Sequence, residues 1–241
     1  MDLKTDTVQP LVGEPRSAEV PRSRRTLWGA LTLVSLTLLL AMAFFYAPED
    51  ANQGAAQRIF YIHVPSAWIG FLAFFVVFVA SIAFLSTGER RWDDVASASA
   101  EVGVIFTSAV LITGPLWGRP VWGVYWTWDP RLTSFLMLWL IYLSYLVLRG
   151  YVPEPVRRAK YAAVLGIVGF LDVPIVYLSA RWWRSEHPTQ FVVESGDLPM
   201  QMLVTLLVGV AAFTFLYLYL MAVRVRVGRL RTRLEEAEVA R

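Results

Sequence analysis

Six apolar runs, each long enough to cross a lipid bilayer as a helix, constrain this chain more than any other feature of its sequence. A hydrocarbon core about 30 Å thick takes roughly 20 apolar residues of helix. Inside it every backbone N–H and C=O must find a partner within the protein, and a helix provides those partners within its own segment. The runs occupy residues 27–46, 67–85, 95–113, 132–148, 161–178 and 200–223. Four of them carry no charged residue, whereas the third holds Glu101 and the fifth holds Asp172. Ala41-Met42-Ala43 resembles a signal-peptidase box, but the run begins after a 26-residue polar arm and continues through Phe44-Phe45-Tyr46. That is longer than the roughly 7–15 apolar residues of a signal peptide, so the run reads as a retained span. Composition agrees, with 56% apolar residues, 17% charged and a mean hydropathy of +0.51, where a soluble domain carries about 25% charged residues. The expectation is an all-α integral membrane protein in three parts: an arm at 1–26, a six-span domain at 27–223 and a tail at 224–241.

The basic residues are not spread evenly over the connections. The arm, 86–94, 149–160 and the tail together hold 17 of the 22 lysines and arginines, and 47–66, 114–131 and 179–199 hold the other 5. Basic residues gather in cytoplasmic loops. Both termini are therefore expected in the cytoplasm of a bacterium, with the other three connections outside its plasma (inner) membrane. The net charge of +3 and pI near 9.3 then have a topological origin, and nucleic acid is not the expected partner. The tail alternates basic residues and turns acidic at Glu235, Glu236 and Glu238, consistent with a solvated continuation of the last helix. With no cysteine in the chain, disulfides, thiolate metal sites and covalent attachment through C-x-x-C-H are excluded.

Only two histidines occur, and both fall in outward-facing connections. His63 sits in Tyr61-Ile62-His63-Val64-Pro65-Ser66-Ala67-Trp68, ahead of the second span, where Ser66 is a candidate N-cap and Pro65 stiffens the approach. His187 sits in Arg181-Trp182-Trp183-Arg184-Ser185-Glu186-His187-Pro188, shortly after the fifth span. Two imidazoles at one membrane surface can reach a single iron from opposite sides. They are equally consistent with two unrelated surface histidines, and topology does not separate these readings.

The connection between them is unusual. Residues 114–131 read Gly-Pro-Leu-Trp-Gly-Arg-Pro-Val-Trp-Gly-Val-Tyr-Trp-Thr-Trp-Asp-Pro-Arg and contain Trp117, Trp122, Trp126 and Trp128, four of the ten tryptophans. Tryptophan collects at membrane interfaces in any case, but four in eighteen residues, interleaved with glycine and proline, exceed an ordinary belt. If the segment is helical, Trp122 and Trp126 share a face and form a shelf for a planar apolar ring. Arg119, Arg131, Arg181 or Arg184 would then offer bidentate donors to anionic groups on that ring. Asp129 and Arg131 can equally pair with each other and fix the loop.

Residues Trp122-Gly123-Val124-Tyr125-Trp126-Thr127-Trp128-Asp129-Pro130-Arg131-Leu132-Thr133 resemble the W-G-x-x-W-x-W-D-x-R-L-T signature, or WWD motif, of the haem-handling proteins of cytochrome c maturation. Within that superfamily the chain is most similar to the haem exporter protein C family. The resemblance covers nearly the whole chain, including the six-span layout, the 61–68 segment and the stretch from Asp172-Val173-Pro174 to His187. It implies that His63 and His187 are the axial ligands of a haem iron. It also implies that Trp117, Trp122, Trp126, Trp128 and Asp129 bind the porphyrin, with Arg119, Arg131 and Arg184 as candidate propionate partners. The cofactor so implied is haem b, held non-covalently and passed on to a membrane-anchored periplasmic haem chaperone. The implied partners are the membrane and ATPase subunits of an ABC transporter and a small single-span maturation protein, besides membrane lipid. Such a delivery role calls for no catalytic nucleophile, so the chain is expected not to be an enzyme. Glu186 and Pro188, beside the second histidine, depart from the family's pattern.

Three other readings compete. The larger cytochrome c synthetases share a tryptophan-rich segment, but they carry additional histidines within their spans, and this chain has none there. A membrane cytochrome subunit would need haem sites across the bilayer, which two histidines at one face do not provide. A small-solute transporter would place Asp172 and Glu101 on its path and leave the tryptophans unexplained. For Asp172, two residues before Pro174, the expectation is a structural role and not a proton relay, the carboxyl either accepting a hydrogen bond from a neighbouring helix or sitting protonated. For Glu101 it is a carboxylate that snorkels to the cytoplasmic surface.

Overall fold

The computed structural model describes residues 22–183 and 198–239, so Arg184 and His187 lie outside the described residues. Among the described residues the structure is helical throughout. The helices are α1 (Arg22–Ala41), α2 (Phe60–Thr87), α3 (Arg90–Trp122), α4 (Pro130–Tyr151), α5 (Pro155–Phe170), α6 (Asp172–Trp182) and α7 (Met200–Val239). A short π-helical turn, Met42–Tyr46, extends α1, and a 3-10 turn, Ala55–Ile59, leads into α2. Six continuous stretches are long and apolar enough to cross a membrane: 26–46, 55–87, 90–122, 130–151, 155–179 and 200–230. Each contains one of the six apolar runs. The chain is a multi-pass inner-membrane protein.

The helices α2 and α3 form the hub, with α5 and α7 against α2, and α4 and α7 against α3. Lipid is as apolar as leucine, so helices inside a bilayer associate through small residues and interhelical hydrogen bonds. Both are present here. A methyl group at Gly103 of α3 would stand 2.6 Å from the Phe74 ring of α2. The buried Ser99 hydroxyl of α3 donates to the Ala73 carbonyl of α2 at 2.8 Å and accepts from the Tyr217 hydroxyl of α7 at 2.8 Å. The same Phe74 ring stacks flat on Tyr142 of α4, with centroids 3.6 Å apart. Trp139 of α4 donates its indole N–H to Ser108 of α3.

Four expectations change. First, His63 lies inside α2 and not in a connection, because the preceding 3-10 turn starts the helix early. Pro65 is inside α2 and Ser66 is not a cap; its hydroxyl donates back to the Ile62 carbonyl at 2.7 Å. Proline has no N–H to offer the Tyr61 carbonyl four residues back, and that carbonyl faces Gly209 of α7, where a methyl group would lie 3.2 Å away. Second, residues 114–122 belong to α3, with Pro115 and Pro120 inside it, and Gly123 terminates the helix at φ +80°. Glycine takes that left-handed geometry without strain. The Trp122–Trp126 helical face is therefore not formed.

Third, the fifth span breaks at Leu171, whose N–H turns back to Val168. The break places Pro174 in the first turn of α6, where a helix has no use for its missing N–H. Asp172 opens α6, and its Oδ2 is buried without a partner among the described residues. Fourth, Glu101 does not snorkel alone: it forms an ion pair with Arg224 of α7. At the same end of the bundle Arg149 of α4 grips Asp93 of α3 through two bonds, at 2.5 and 2.9 Å. Glu154 caps α5 by accepting from the Val156 and Arg157 N–H groups. Those two bonds hold its carboxyl below the ordinary glutamate range. The last helix continues past the membrane as one element to Val239.

Candidate functional site

The end of the bundle opposite Arg149 gathers the start of α2, the end of α3 and the start of α4. His63, half-buried on α2, points toward α3. Its Nδ1 lies 2.9 Å from the Thr113 hydroxyl oxygen. That hydroxyl also lies 2.7 Å from the Ala109 carbonyl, four residues earlier in α3. A carbonyl cannot donate, so the Thr113 proton goes to Ala109, and His63 Nδ1 is the donor of the other bond. In its neutral form the imidazole therefore carries its lone pair on Nε2, across the ring from the Thr113 contact. Metal-ligating histidines are generally oriented in this way, through a hydrogen bond from the other ring nitrogen.

Packing holds the ring as well. The His63 ring sits against Gly114, where a methyl group would stand 3.3 Å from Cε1. Trp117, one turn further along α3, meets His63 edge to face at 5.6 Å and Phe60 at 5.9 Å. Its indole N–H donates to Gln53 at 2.9 Å. Gln53 is itself held in a tight turn, closed by Asp50 Oδ1 accepting from the Asn52 and Gln53 N–H groups. Trp117 thus fixes one side of the histidine, and the turn before α2 fixes Trp117.

The tryptophan segment forms the adjoining wall. A cavity of about 240 Å³ extends from Gly114 to Trp122, Tyr125, Trp126 and Leu132. Pockets that enclose a drug-sized ligand run about 300–1,000 Å³, so this one is smaller than a whole ligand of that size requires. Trp126 and Trp128 meet edge to face at 5.7 Å, and Trp128 turns outward with 75% of its surface exposed. The Trp126 indole N–H is buried with no acceptor among the described residues, whereas buried donors are nearly always satisfied.

The charged residues of the segment have local tasks. Asp129 is the N-cap of α4: Oδ1 accepts from the Arg131 and Leu132 N–H groups at 2.9 and 3.0 Å, and Oδ2 accepts from Thr127 at 3.1 Å. Pro130 follows at the first helical position. Arg119 donates to the Gly123 carbonyl at 2.6 Å and lies over the Tyr125 ring, so it ties the end of α3 to the loop. Arg131 occupies the first turn of α4 beside this cap. The structure thus brings His63, Trp117, Trp122 and Trp126 to one region and places Trp128 and Arg119 at its exposed margin. His187 and Arg184 are not among the described residues.

Thr113, Gly114 and Gln53 belong to this region and were not singled out in the sequence. Thr113-Gly114-Pro115 was legible as the end of an apolar run, but the pairing with His63 spans fifty residues. The cap was available in the Asp129-Pro130 pair, a standard helix-start pattern. A neutral imidazole with its lone pair on Nε2 and an aromatic wall suit a flat, apolar, metal-bearing molecule.

Comparison with known proteins gives consistent results. Residues 12–240 match the family described as Heme exporter protein C. A Bradyrhizobium diazoefficiens protein named Heme exporter protein C is 42% identical over 182 residues, covering 73% of this chain and 69% of the relative. A Haemophilus influenzae protein of the same name is 33% identical over 189 residues, covering 78% and 77% respectively. A Marchantia polymorpha mitochondrial protein, named for cytochrome c biosynthesis, is 33% identical over 177 residues, covering 73% and 75%.

Proposed function

The chain belongs to the haem exporter protein C family, and on that premise we propose that it binds haem at the outer face of the membrane and presents it for transfer during cytochrome c maturation. The observation that carries this reading is the His63–Thr113 bond, which orients the imidazole beside the tryptophan-lined cavity in the tautomer that a haem-ligating histidine uses. The iron is ligated by His63 Nε2 on one side and by His187 on the other. Trp122, Trp126 and Tyr125 hold the ring by dispersion and stacking. The Trp126 N–H answers a propionate oxygen, with Arg131 and Arg184 as further propionate partners. Asp129 acts through the backbone it caps, and Arg119 through the loop it ties down. The haem is haem b, bound without a covalent link.

Transfer needs an accessible ring edge, and a cavity this small leaves most of a porphyrin outside it. Exposed Trp128, Tyr125 and Val124 then line the approach of a receiving protein. That receiver is a membrane-anchored periplasmic haem chaperone. The transporter's membrane and ATPase subunits and a small single-span protein complete the assembly. Both termini lie on the cytoplasmic side, as the basic connections require. The task is one of holding and orienting, so the protein acts as a carrier and not as an enzyme.

Absorbance of the purified full-length protein, expressed with ample haem, tests the reading. A Soret band is expected in the parent, reduced in His63→Ala or His187→Ala and absent in the double variant, with helical content unchanged. An unaltered Soret band in the double variant, together with normal cytochrome c assembly, would overturn it.

A further inference from the structure

We propose that the turn from Asp50 to Gly54 sets the plane of the His63 ring, with Gln53 as a positioning residue that acts through Trp117. This role rests on the reading of His63 as a haem ligand. The Thr113 hydroxyl, 2.9 Å from His63 Nδ1, gives the imidazole its direction. One hydrogen bond leaves a ring free to turn about the axis of that bond, so its plane has to be fixed by the groups packed around it. Two groups of α3 do this. A methyl group at Gly114 would stand 3.3 Å from His63 Cε1, and the Trp117 ring meets the imidazole edge to face at 5.6 Å.

Trp117 serves as a fixed reference only if it is itself held. Its indole N–H donates to Gln53 Oε1 at 2.9 Å, and Phe60 meets its ring at 5.9 Å. Gln53 in turn leaves the chain from a closely specified turn. Asp50 Oδ1 accepts from the Asn52 and Gln53 N–H groups, each at 2.8 Å, and the Asp50 carbonyl accepts from the Gly54 N–H at 2.9 Å. Aspartate commonly orders a loop by closing on its own backbone in this way. Gly54 has φ +55° and ψ −142°, a conformation that side chains strongly disfavour. Its carbonyl accepts from the Gln57 N–H at 3.3 Å, within the 3-10 turn that leads into α2. Arg58 of that 3-10 turn pairs with Glu49 at 3.2 Å and closes the loop again.

The turn therefore reaches His63 by two routes. One is the chain itself, from Gly54 through the 3-10 turn into α2. The other is the Gln53–Trp117 bond, which crosses to α3 and returns to the ring. In a low-spin ferric haem the plane of an axial imidazole sets the splitting among the iron d orbitals, which electron paramagnetic resonance reads as g-values. A turn that aims the ring should be visible at the iron.

The test compares the full-length parent with Gln53→Leu, which removes the acceptor, and Gln53→Glu, which keeps an oxygen at the same reach. In the haem-loaded protein, Gln53→Leu should shift the g-values and weaken haem binding about fivefold, the worth of one neutral hydrogen bond. Gln53→Glu should restore both. Gly54→Ala, whose added methyl meets no atom within 4 Å, disturbs the turn through its backbone alone and should shift the g-values too. The apo-protein gives a reading that needs no haem. The chain has only two histidines, so His187→Gln assigns the His63 Cε1–H magnetic resonance signal, which reports the Trp117 ring beside it. Gln53→Leu should move that signal and Gln53→Glu return it, with helical content unchanged. Identical g-values and haem affinity in the parent and Gln53→Leu would overturn the proposal, and so would an apo signal that does not move. A folded Gln53→Glu protein that behaves like Gln53→Leu would do the same. A parent whose apo signal responds to Gln53 but which binds no haem would instead overturn the haem reading, and with it the ligand role of the ring.

Discussion

The two ends of the bundle handle polar groups in opposite ways. At the end that carries Arg149, carboxylates and guanidiniums close on one another: Asp93 with Arg149, Glu101 with Arg224. At the end that carries His63, the histidine and its neighbours are held by neutral hydrogen bonds and ring contacts, as in His63 with Thr113 and Trp117 with Gln53, while the Arg58–Glu49 ion pair stands in the approach to α2. Two buried polar atoms at that end, Trp126 Nε1 and Thr133 Oγ1, have no partner among the described residues. Ion pairs between helices fasten the bundle, whereas aimed donors and a half-open wall leave room for something brought from outside. The two ends should therefore fail differently when altered, one by losing stability and the other by losing the ligand.

The largest separation is expected at Arg149. Its pair with Asp93 is mostly buried, the two side chains being 15% and 17% exposed. Removing one member of such a pair strands the other charge, at a cost of about 3 kcal/mol or more. Arg149→Gln should lower the unfolding midpoint in detergent sharply, and a second change, Asp93→Asn, should restore part of it. The haem absorbance of the folded fraction should stay unchanged. Loss of that absorbance with an unchanged midpoint would break the division between the ends.

The converse test lies at Thr113. Valine has nearly the same shape but offers His63 Nδ1 no acceptor, so the imidazole loses both its tautomer preference and its aim. Thr113→Val should weaken haem binding by about ten- to a hundredfold, the usual cost of removing a metal ligand's supporting hydrogen bond. The unfolding midpoint should move little, and Thr113→Ser should keep most of the affinity. Haem titration into the apo-protein reads this directly. A loss in Ser with none in Val would mean that the methyl group, not the hydroxyl, matters.

These contrasts also explain how far the sequence could be read. Apolar run length reported the six spans, because a bilayer filters for length and apolarity above all else. It could not report where each helix ends, since helices run on into the interface where polar and aromatic residues are tolerated. That is why His63 and residues 114–122 were assigned to connections and lie in α2 and α3. Proline misled in the same way: Pro65, Pro115 and Pro120 are inside helices, where proline is tolerated at membrane depth when neighbours answer the freed carbonyls. The break at Leu171 left a trace in Pro174 but not its position. For the site, the residues with distinctive chemistry were visible one by one. Thr113 and Gln53 were not, because each matters only through a partner fifty or more residues away.

The smallest effect is expected at Asp129, and it distinguishes two ways in which a motif residue can matter. Its carboxylate accepts from two N–H groups at the start of α4 and from Thr127. Asparagine caps helices about as well as aspartate, whereas alanine loses about 1 kcal/mol. If Asp129 works by holding the loop between Trp126 and α4, Asp129→Ala should reduce haem affinity by about fivefold, and Asp129→Asn should restore it. If its charge instead met the ligand or a receiving protein, asparagine would fare no better than alanine. Restoration by asparagine would place Asp129 with Thr113 and Gln53, as a residue that aims the groups that bind.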